Sequence, residues 1–358
     1  MGVQITELLP RKQIDYKELS GKAIAVDAHL ALYQFITTIR QPDGTPLTDS
    51  SGNVTSHLMG LFSRNANLMQ KGISLIYVFD GKPPELKQKT IEERRQGKIE
   101  AQKKYEAAFE LGDTAAMHKY AGRTSRLTKE IIAESKELLS AFGIPVVQAP
   151  SEGEAQASHI VRKGDAFAVG SQDADCLLFG SPRLVRNLSI SARKKIPGTL
   201  AYQQVFPELI ELPSVFSALG ISQKQLIALS MLVGTDFNSK GIRGIGPKNA
   251  LKLVKKHGEN LNLLFSEAKW EESFEMPWQE VFDVIAKMPV SDDYSKNQGS
   301  INADKIREIL CERHQFSVER VEKTISDIHK CLINNEIPEA GPDCDFCRYR
   351  EAITKVEK

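Results

Sequence analysis

Three short apolar runs in this chain end in an aspartate. Residues 22–29 (KAIAVDAH) lead to Asp27, residues 74–79 (SLIYVF) to Asp80, and residues 166–170 through Ser171 and Gln172 to Asp173. A fourth run, 144–148, passes through a Pro-Ser turn to Glu152 and Glu154. Runs this short, bounded by turn residues and separated by helix-period segments, read as strands of a parallel sheet, because parallel neighbours need a helical crossover between them. The chain is therefore predicted to be α/β, a central and mostly parallel twisted sheet with helices on both faces. An acid at the same end of each strand places the carboxylates along one edge, where ligands of open α/β sheets bind.

Residues 149–180, APSEGEAQASHIVRKGDAFAVGSQDADCLLFG, carry four of these acids. Glu152 and Glu154 fall in the first turn of a helix closed by Gly164. Two readings stand for them: Ser151-x-x-Glu154 fits a capping box that only starts the helix, or the acids face a ligand. Asp173 and Asp175, two apart in an extended segment, would point to the same side. Their plain reading is a solvated loop.

Elsewhere, residues 30–40 carry a helical pattern that includes Tyr33 and Arg40, 41–54 read as a loop, and 57–69 form an amphipathic helix containing Arg64. Residues 184–190 read as another strand. Residues 82–130 are charged and poor in apolar side chains, with 12 Lys and Arg against 8 Asp and Glu. Their plain reading is a solvated helical pair held by ion pairs. Lys87 and Arg94, seven apart, share a helical face, and Lys98 extends it towards Asp80. Residues 222–234 form a helix with a Ser-x-x-Gln box. A glycine-rich turn follows, and Pro247 opens the next helix. Between 236 and 258 there are six Lys or Arg and one acid. Such a helix, hairpin and helix offers backbone N–H groups to a phosphate, unless it is a simple connection.

With 358 residues, 41% hydrophobic and 26% charged, the chain can bury a sizeable core. No apolar run approaches the roughly 20 residues of a membrane span, and no secretory pattern opens it, so it is read as intracellular, without a membrane. Five cysteines in such a chain argue against a disulfide framework.

Taken together, VDAHLALYQF, TSHLMGLFSR, YVFDGKPPELK, APSEGEAQAS, GSQDADCLLFG and LVGTDFNSKGIRGIGPKNALKLV, with Met1-Gly-Val at the start, resemble the flap endonucleases, structure-specific 5′ nucleases of archaeal and eukaryotic type. The resemblance covers roughly residues 1–328 as one nuclease domain. It contains an N-terminal part at 1–101, a helical arch at about 82–130, an internal part at about 140–235 and a helix-hairpin-helix at about 222–258. It implies a two-Mg²⁺ site, with Mn²⁺ as substitute, held by Asp27, Asp80, Glu152, Glu154, Asp173, Asp175 and Asp236. Hard oxygen ligands suit those ions, and seven acids in one cleft would repel each other without cations. Setting these seven aside leaves 39 acidic against 47 basic residues, a balance suited to a polyanion.

The resemblance further implies that Lys87 and Arg94 contact the scissile phosphate, that Tyr33 stacks on the terminal base, or is an ordinary buried aromatic, and that Arg40 and Arg64 lie near the junction. Gly241, Gly244, Gly246 and Lys248 would hold the duplex, with a bound K⁺. The implied activity is cleavage of branched DNA with a 5′ flap, during replication and repair, by a monomer, in the cytoplasm of a prokaryote or the nucleus of a eukaryote. A catalytically silent junction-binding scaffold and an acid-cluster ribonuclease are the alternatives. His29 is left outside the site. The sliding-clamp motif that the family carries at its C-terminus is not found after His329. Residues 329–358 instead hold His329, Cys331, Cys344 and Cys347, a possible Zn²⁺ set, or, with Cys311 joining the three cysteines, an iron–sulfur set. An unliganded tail is the other reading.

Overall fold

The computed structural model describes residues 2–41, 44–122, 124–188, 193–195 and 202–333. Among these described residues there are nine strands: β1 (Lys12–Gln13), β2 (Ala23–Asp27), β3 (Ser74–Phe79), β4 (Val146–Gln148), β5 (Ala168–Gly170), β6 (Arg183–Arg186), β7 (Arg193–Lys195), β8 (Tyr202–Gln204) and β9 (Glu208–Glu211). Seven form one sheet in the order β1-β9-β6-β5-β2-β3-β4, and β7 pairs with β8 apart from it. β4, β3, β2, β5 and β6 are mutually parallel; β9 and β1 close one edge antiparallel. The sheet is thus mostly parallel, as the strand spacing predicts.

Side-chain alternation along the strands assigns the two faces. Ala23, Ala25, Ile76, Val78 and Val169 enter one core. Ile24, Val26, Leu75, Tyr77, Phe79 and Ala168 enter the other. The second core is covered by α1 (Ala28–Thr38) and α2 (Ser56–Met69). Next in the chain come the paired helices α3 (Gln88–Glu110) and α4 (Thr114–Ala121), whose residues are mostly outside both cores. α5 (Lys129–Ala141) returns to the second core, while α6 (Gly153–Arg162), α7 (Asp175–Leu178), α8 (Leu212–Leu219), α9 (Gln223–Val233) and α10 (Pro247–His257) cover the first. Helix α9 is apolar almost all round because it is buried almost all round. No single described helix is long and apolar enough to cross a membrane.

The chain beyond 258 continues the first core with α11 (Leu261–Glu267), α12 (Trp270–Ser273) and α13 (Trp278–Ala286), then crosses to complete the second with α14 (Ala303–Arg307) and α15 (Val318–Ile333). Each fully buried Leu, Ile or Phe on these faces contributes roughly 1.5–3 kcal/mol.

Four local expectations give way. Asp173 and Asp175 do not lie in an extended segment: β5 stops at Gly170, the chain bends, and Asp175 is the first residue of α7. The Ser151–Glu154 capping box does not form, since Glu152 is the N-cap and Ser151 Oγ donates instead to the Lys82 carbonyl at 3.0 Å. Glu152 therefore precedes the first turn. The strand expected over 184–190 is Arg183–Arg186, ended by Asn187 in the left-handed region at φ 61°. Cys344 and Cys347 lie outside the described residues.

Candidate active site

Each acid is fixed by where its strand stops. Asp27 ends β2 and caps α1, its Oδ1 accepting the Leu30 N–H at 3.1 Å, and it is 8% exposed. Asp80 follows β3, its Oδ1 accepting the Gly153 N–H at 2.6 Å. Glu154, in the first turn of α6, accepts from the Ser171 hydroxyl at 3.1 Å. Asp173 Oδ2 accepts the Gly2 N–H at 2.7 Å, and Asp175 Oδ1 the Val3 N–H at 2.6 Å. Asp236 comes two residues after the end of α9 at Gly234.

The strand order explains the meeting point. From β2 the chain builds outwards through β3 to β4, then crosses to β5 on the other side of β2. Beyond the carboxyl ends of β2 and β5 a crevice opens at this reversal. All seven acids share one field there. Burial, then Asp80, pushes the Asp27 carboxyl up to about 8. Burial, with Asp236 and Asp173 outweighing the Val3 hydrogen bond, pushes Asp175 up to about 7. Burial and then Asp175, Asp27 and Asp173 hold Glu154 well above the carboxylate range. Glu152 is raised by burial, with Asp80 and Asp236 adding to it and Lys87 opposing.

Two cations of the arch reach this crevice. Lys87, in the turn Glu85–Lys87 before α3, pairs with Glu152 and lies 3.3 Å from Asp236 Oδ2; Arg94 pairs with Asp236. Burial alone would lower the Lys87 ammonium, but Glu152 and Asp236 hold it above the ordinary lysine range. The Ser239 hydroxyl donates to Glu93 at 3.0 Å, fastening α3 to the loop after α9. Among the described residues no three His, Cys, Asp or Glu side chains converge as a closed metal cage. Glu152 and Asp236 are instead turned to the arch cations.

The XPG N-terminal domain family matches residues 1–101 and the XPG I-region family residues 143–236. Over 333 residues the chain is 51% identical to Flap endonuclease 1 of Aeropyrum pernix, covering 92% of this chain and 95% of that protein. The chain belongs to the flap endonuclease family. The solved flap endonuclease-1 from Methanococcus jannaschii, 38% identical, superposes with a TM-score of 0.73 over 93% of this chain and 99% of that one. The catalytic core of Rad2 in complex with DNA substrate, 23% identical, shares the fold, with a TM-score of 0.65 over 90% of this chain and 97% of that one.

The hairpin follows Asp236 on the loop between α9 and α10. Gly241 has φ +59°, and a Cβ there would lie 2.3 Å from the Val233 carbonyl, so only glycine lets the loop fold back on α9. Gly244 is exposed, Gly246 is the N-cap of α10, and Lys248 is exposed in its first turn. Tyr33, half-buried on α1, has the Lys98 ammonium 5.1 Å from its ring centroid. Arg40 is held by the Thr37 and Gly44 carbonyls and the Ser125 hydroxyl, joining α1 to the loop after the arch. Arg64, half-buried on α2, lies near the Tyr16 phenol rather than the acid cluster.

Three contacts were not legible in sequence. His29 lies against Asp80, its Nδ1 accepting the Asp80 N–H at 3.1 Å, so the residue left outside the site orients one of its acids. The backbones of Gly2 and Val3 hold Asp173 and Asp175. A Cβ on Gly2 would sit 2.4 Å from Asp173 Cβ, which is why this residue has no side chain. The only signal was Met1-Gly-Val at the start, more than 170 residues from the acids it serves.

Proposed function

We propose that this chain is a structure-specific 5′ flap endonuclease and 5′–3′ exonuclease that hydrolyses DNA phosphodiesters in replication, including Okazaki fragment maturation, and in repair. One observation carries the reading: seven carboxylates from five segments share one electrostatic field beside the carboxyl ends of a parallel sheet, under two cations of the arch.

The donor set is all oxygen, mostly half-buried and self-repelling, which fits hard divalent cations. Asp27, Asp80, Glu152, Glu154, Asp173, Asp175 and Asp236 would hold two Mg²⁺, or Mn²⁺ in their place. When bound, these ions supply an activated water and charge opposite the leaving oxygen. Lys87 cannot act as a base, because its carboxylate partners keep it protonated. With Arg94 it provides positive charge beside the scissile phosphate, and when a phosphate enters, both can exchange Glu152 and Asp236 for it. His29, Gly2 and Val3 keep the carboxylates oriented.

The hairpin of Gly241, Gly244, Gly246 and Lys248 supports sequence-independent grip on duplex backbone, with K⁺ as a candidate ion there. The 5′ single strand would pass beneath α3 and α4, with its terminal base against Tyr33. The enzyme is read as an intracellular monomer, with the sliding clamp as the partner that the family leads one to expect.

The test is product mapping on a labelled double-flap DNA with Mg²⁺, beside a matched RNA flap. Incision at the flap base, leaving a ligatable nick, is expected. Tight binding without incision would instead establish a silent scaffold, and faster RNA cleavage an acid-cluster ribonuclease.

A further inference from the structure

Helix α3 carries an orderly stripe beyond the residues that reach the acids. Arg94, Lys98, Tyr105 and Phe109 fall within about 60° of one another around a helix of 3.6 residues per turn, edged by the buried Ala101 and Ala108. The stripe faces α1, as its lower half shows: Arg94 pairs with Asp236, and the Lys98 ammonium lies over the Tyr33 ring. On α1 the facing positions are Tyr33 and Thr37, four apart, and Arg40 follows just past the helix end, held by the Thr37 carbonyl. Tyr33 and Tyr105 both lie near the Arg40 guanidinium. Further out, Phe109 is 66% exposed in a helix that is otherwise mostly polar. Aromatic rings and cations thus recur on facing helices along a line leading away from the acid cluster.

We infer that Tyr105, with Phe109 beyond it, forms a second base-stacking subsite for single-stranded DNA, distinct from the terminal position at Tyr33. The inference rests on the flap-cleaving reading of the site. A ring can accept any base on its face, and adjacent cations hold the phosphates, which gives sequence-tolerant grip on a single strand. Tyr105 lies seven residues past Lys98, about 10 Å along the helix axis. At roughly 3.4 Å per stacked nucleotide that corresponds to about three nucleotides. The subsite therefore holds bases of the 5′ strand beyond the second or third, and short flaps do not reach it.

Equilibrium binding of the full chain is compared on double-flap DNA with a one-nucleotide and a six-nucleotide 5′ flap, and on the six-nucleotide flap with abasic residues. Tyr105→Ala is expected to weaken binding of the six-nucleotide flap by roughly 5- to 50-fold. It should leave the one-nucleotide flap unchanged and lose its effect on the abasic flap, while Tyr105→Phe binds like wild type. Phe109→Ala should show the same pattern, smaller. An equal loss on both flap lengths, a loss that persists on the abasic flap, no loss at all, or a Tyr105→Phe defect as large as the alanine's would overturn the subsite. Binding is measured separately from incision. Absence of incision by the wild type would therefore count against the enzymatic reading, while the length and base dependence still decides the subsite.

Discussion

Asp173 has two jobs that a substitution separates. Its carboxylate belongs to the acid cluster, and it is seated by the Gly2 N–H. Asp173→Ala is predicted to slow incision by on the order of 10³-fold or more, since a lost ligand costs several kcal/mol in the transition state, while flap binding stays within a few-fold. Single-turnover rates beside a binding isotherm check this, and a rate near wild type would remove Asp173 from the site. Gly2→Ala should do its harm through position alone. The added methyl collides with Asp173, so turnover should fall by about 10- to 100-fold with the melting temperature little changed. Equal rates for the two proteins would show that the close approach has no consequence.

Asp27 carries the pH dependence. An acid whose folded pKa is raised contributes stability that is complete below the ordinary carboxylate range and is lost as pH rises through the folded value, here about 8. Asn in its place can still cap α1 but carries no charge. In chelator, Asp27→Asn should melt about 2–5 °C above wild type at pH 8, with a smaller gap at pH 6, and saturating Mg²⁺ should close the gap. A gap independent of pH would mean the buried charge is not the cause.

At the level of elements, α10 and the arch show how far a pattern carries. The Gly246-Pro247 start and the Ser222-x-x-Gln225 box predicted two helix N-termini, and both stand where they were placed. Those signals are local: a side chain caps its own helix, and proline fixes its own φ. Ser151-x-x-Glu154 spelled the same local signal but lost to a tertiary competitor, because the Lys82 carbonyl takes the serine hydroxyl and the cleft takes the glutamate. Lys248, exposed in the first turn of α10, should act through charge alone. Lys248→Ala is predicted to weaken duplex binding a few-fold, equally for unrelated sequences, and to lower the slope of log affinity against log salt by about 1. Binding titrations between 50 and 200 mM salt measure that slope, and an unchanged slope would place Lys248 off the phosphate.

For the whole molecule, the C-terminal helices are core rather than appendage. Ile306, Ile309, Leu310, Val321, Ile325 and Ile328 are buried in the second core with α2 and α5. His314 joins the two outer layers, its ring 2.8 Å from Asp49 and 2.7 Å from Glu134, and Arg313 and Lys305 hold Glu137 down to about 2. Six buried aliphatic side chains represent about 10 kcal/mol of transfer free energy, which is comparable with the whole net stability of a domain, about 5–15 kcal/mol. Truncation after residue 302 should therefore leave an aggregation-prone protein with no sharp melt. Calorimetry of the truncated and full chains decides it, and a sharp, unchanged melt for the shorter chain would show that these helices are dispensable.

Strand positions, their parallel run and the acids at the strand ends could be read from the chain, because each depends on residues within about ten positions: an apolar run, the turn that ends it, the acid at that turn; Asp236, which follows a helix, joined them only through the family resemblance. The partners of those acids could not. That Gly2 seats Asp173, that His29 rather than solvent meets Asp80, and that Lys87 and Arg94 neutralise Glu152 and Asp236 follow from the crossover that brings β5 to the other side of β2 and folds the arch back over the crevice. Hydrophobic period records which way a side chain faces, but not which distant backbone arrives there, and the burial and field that raise Asp27, Glu152, Glu154 and Asp175 exist only once the sheet has gathered them.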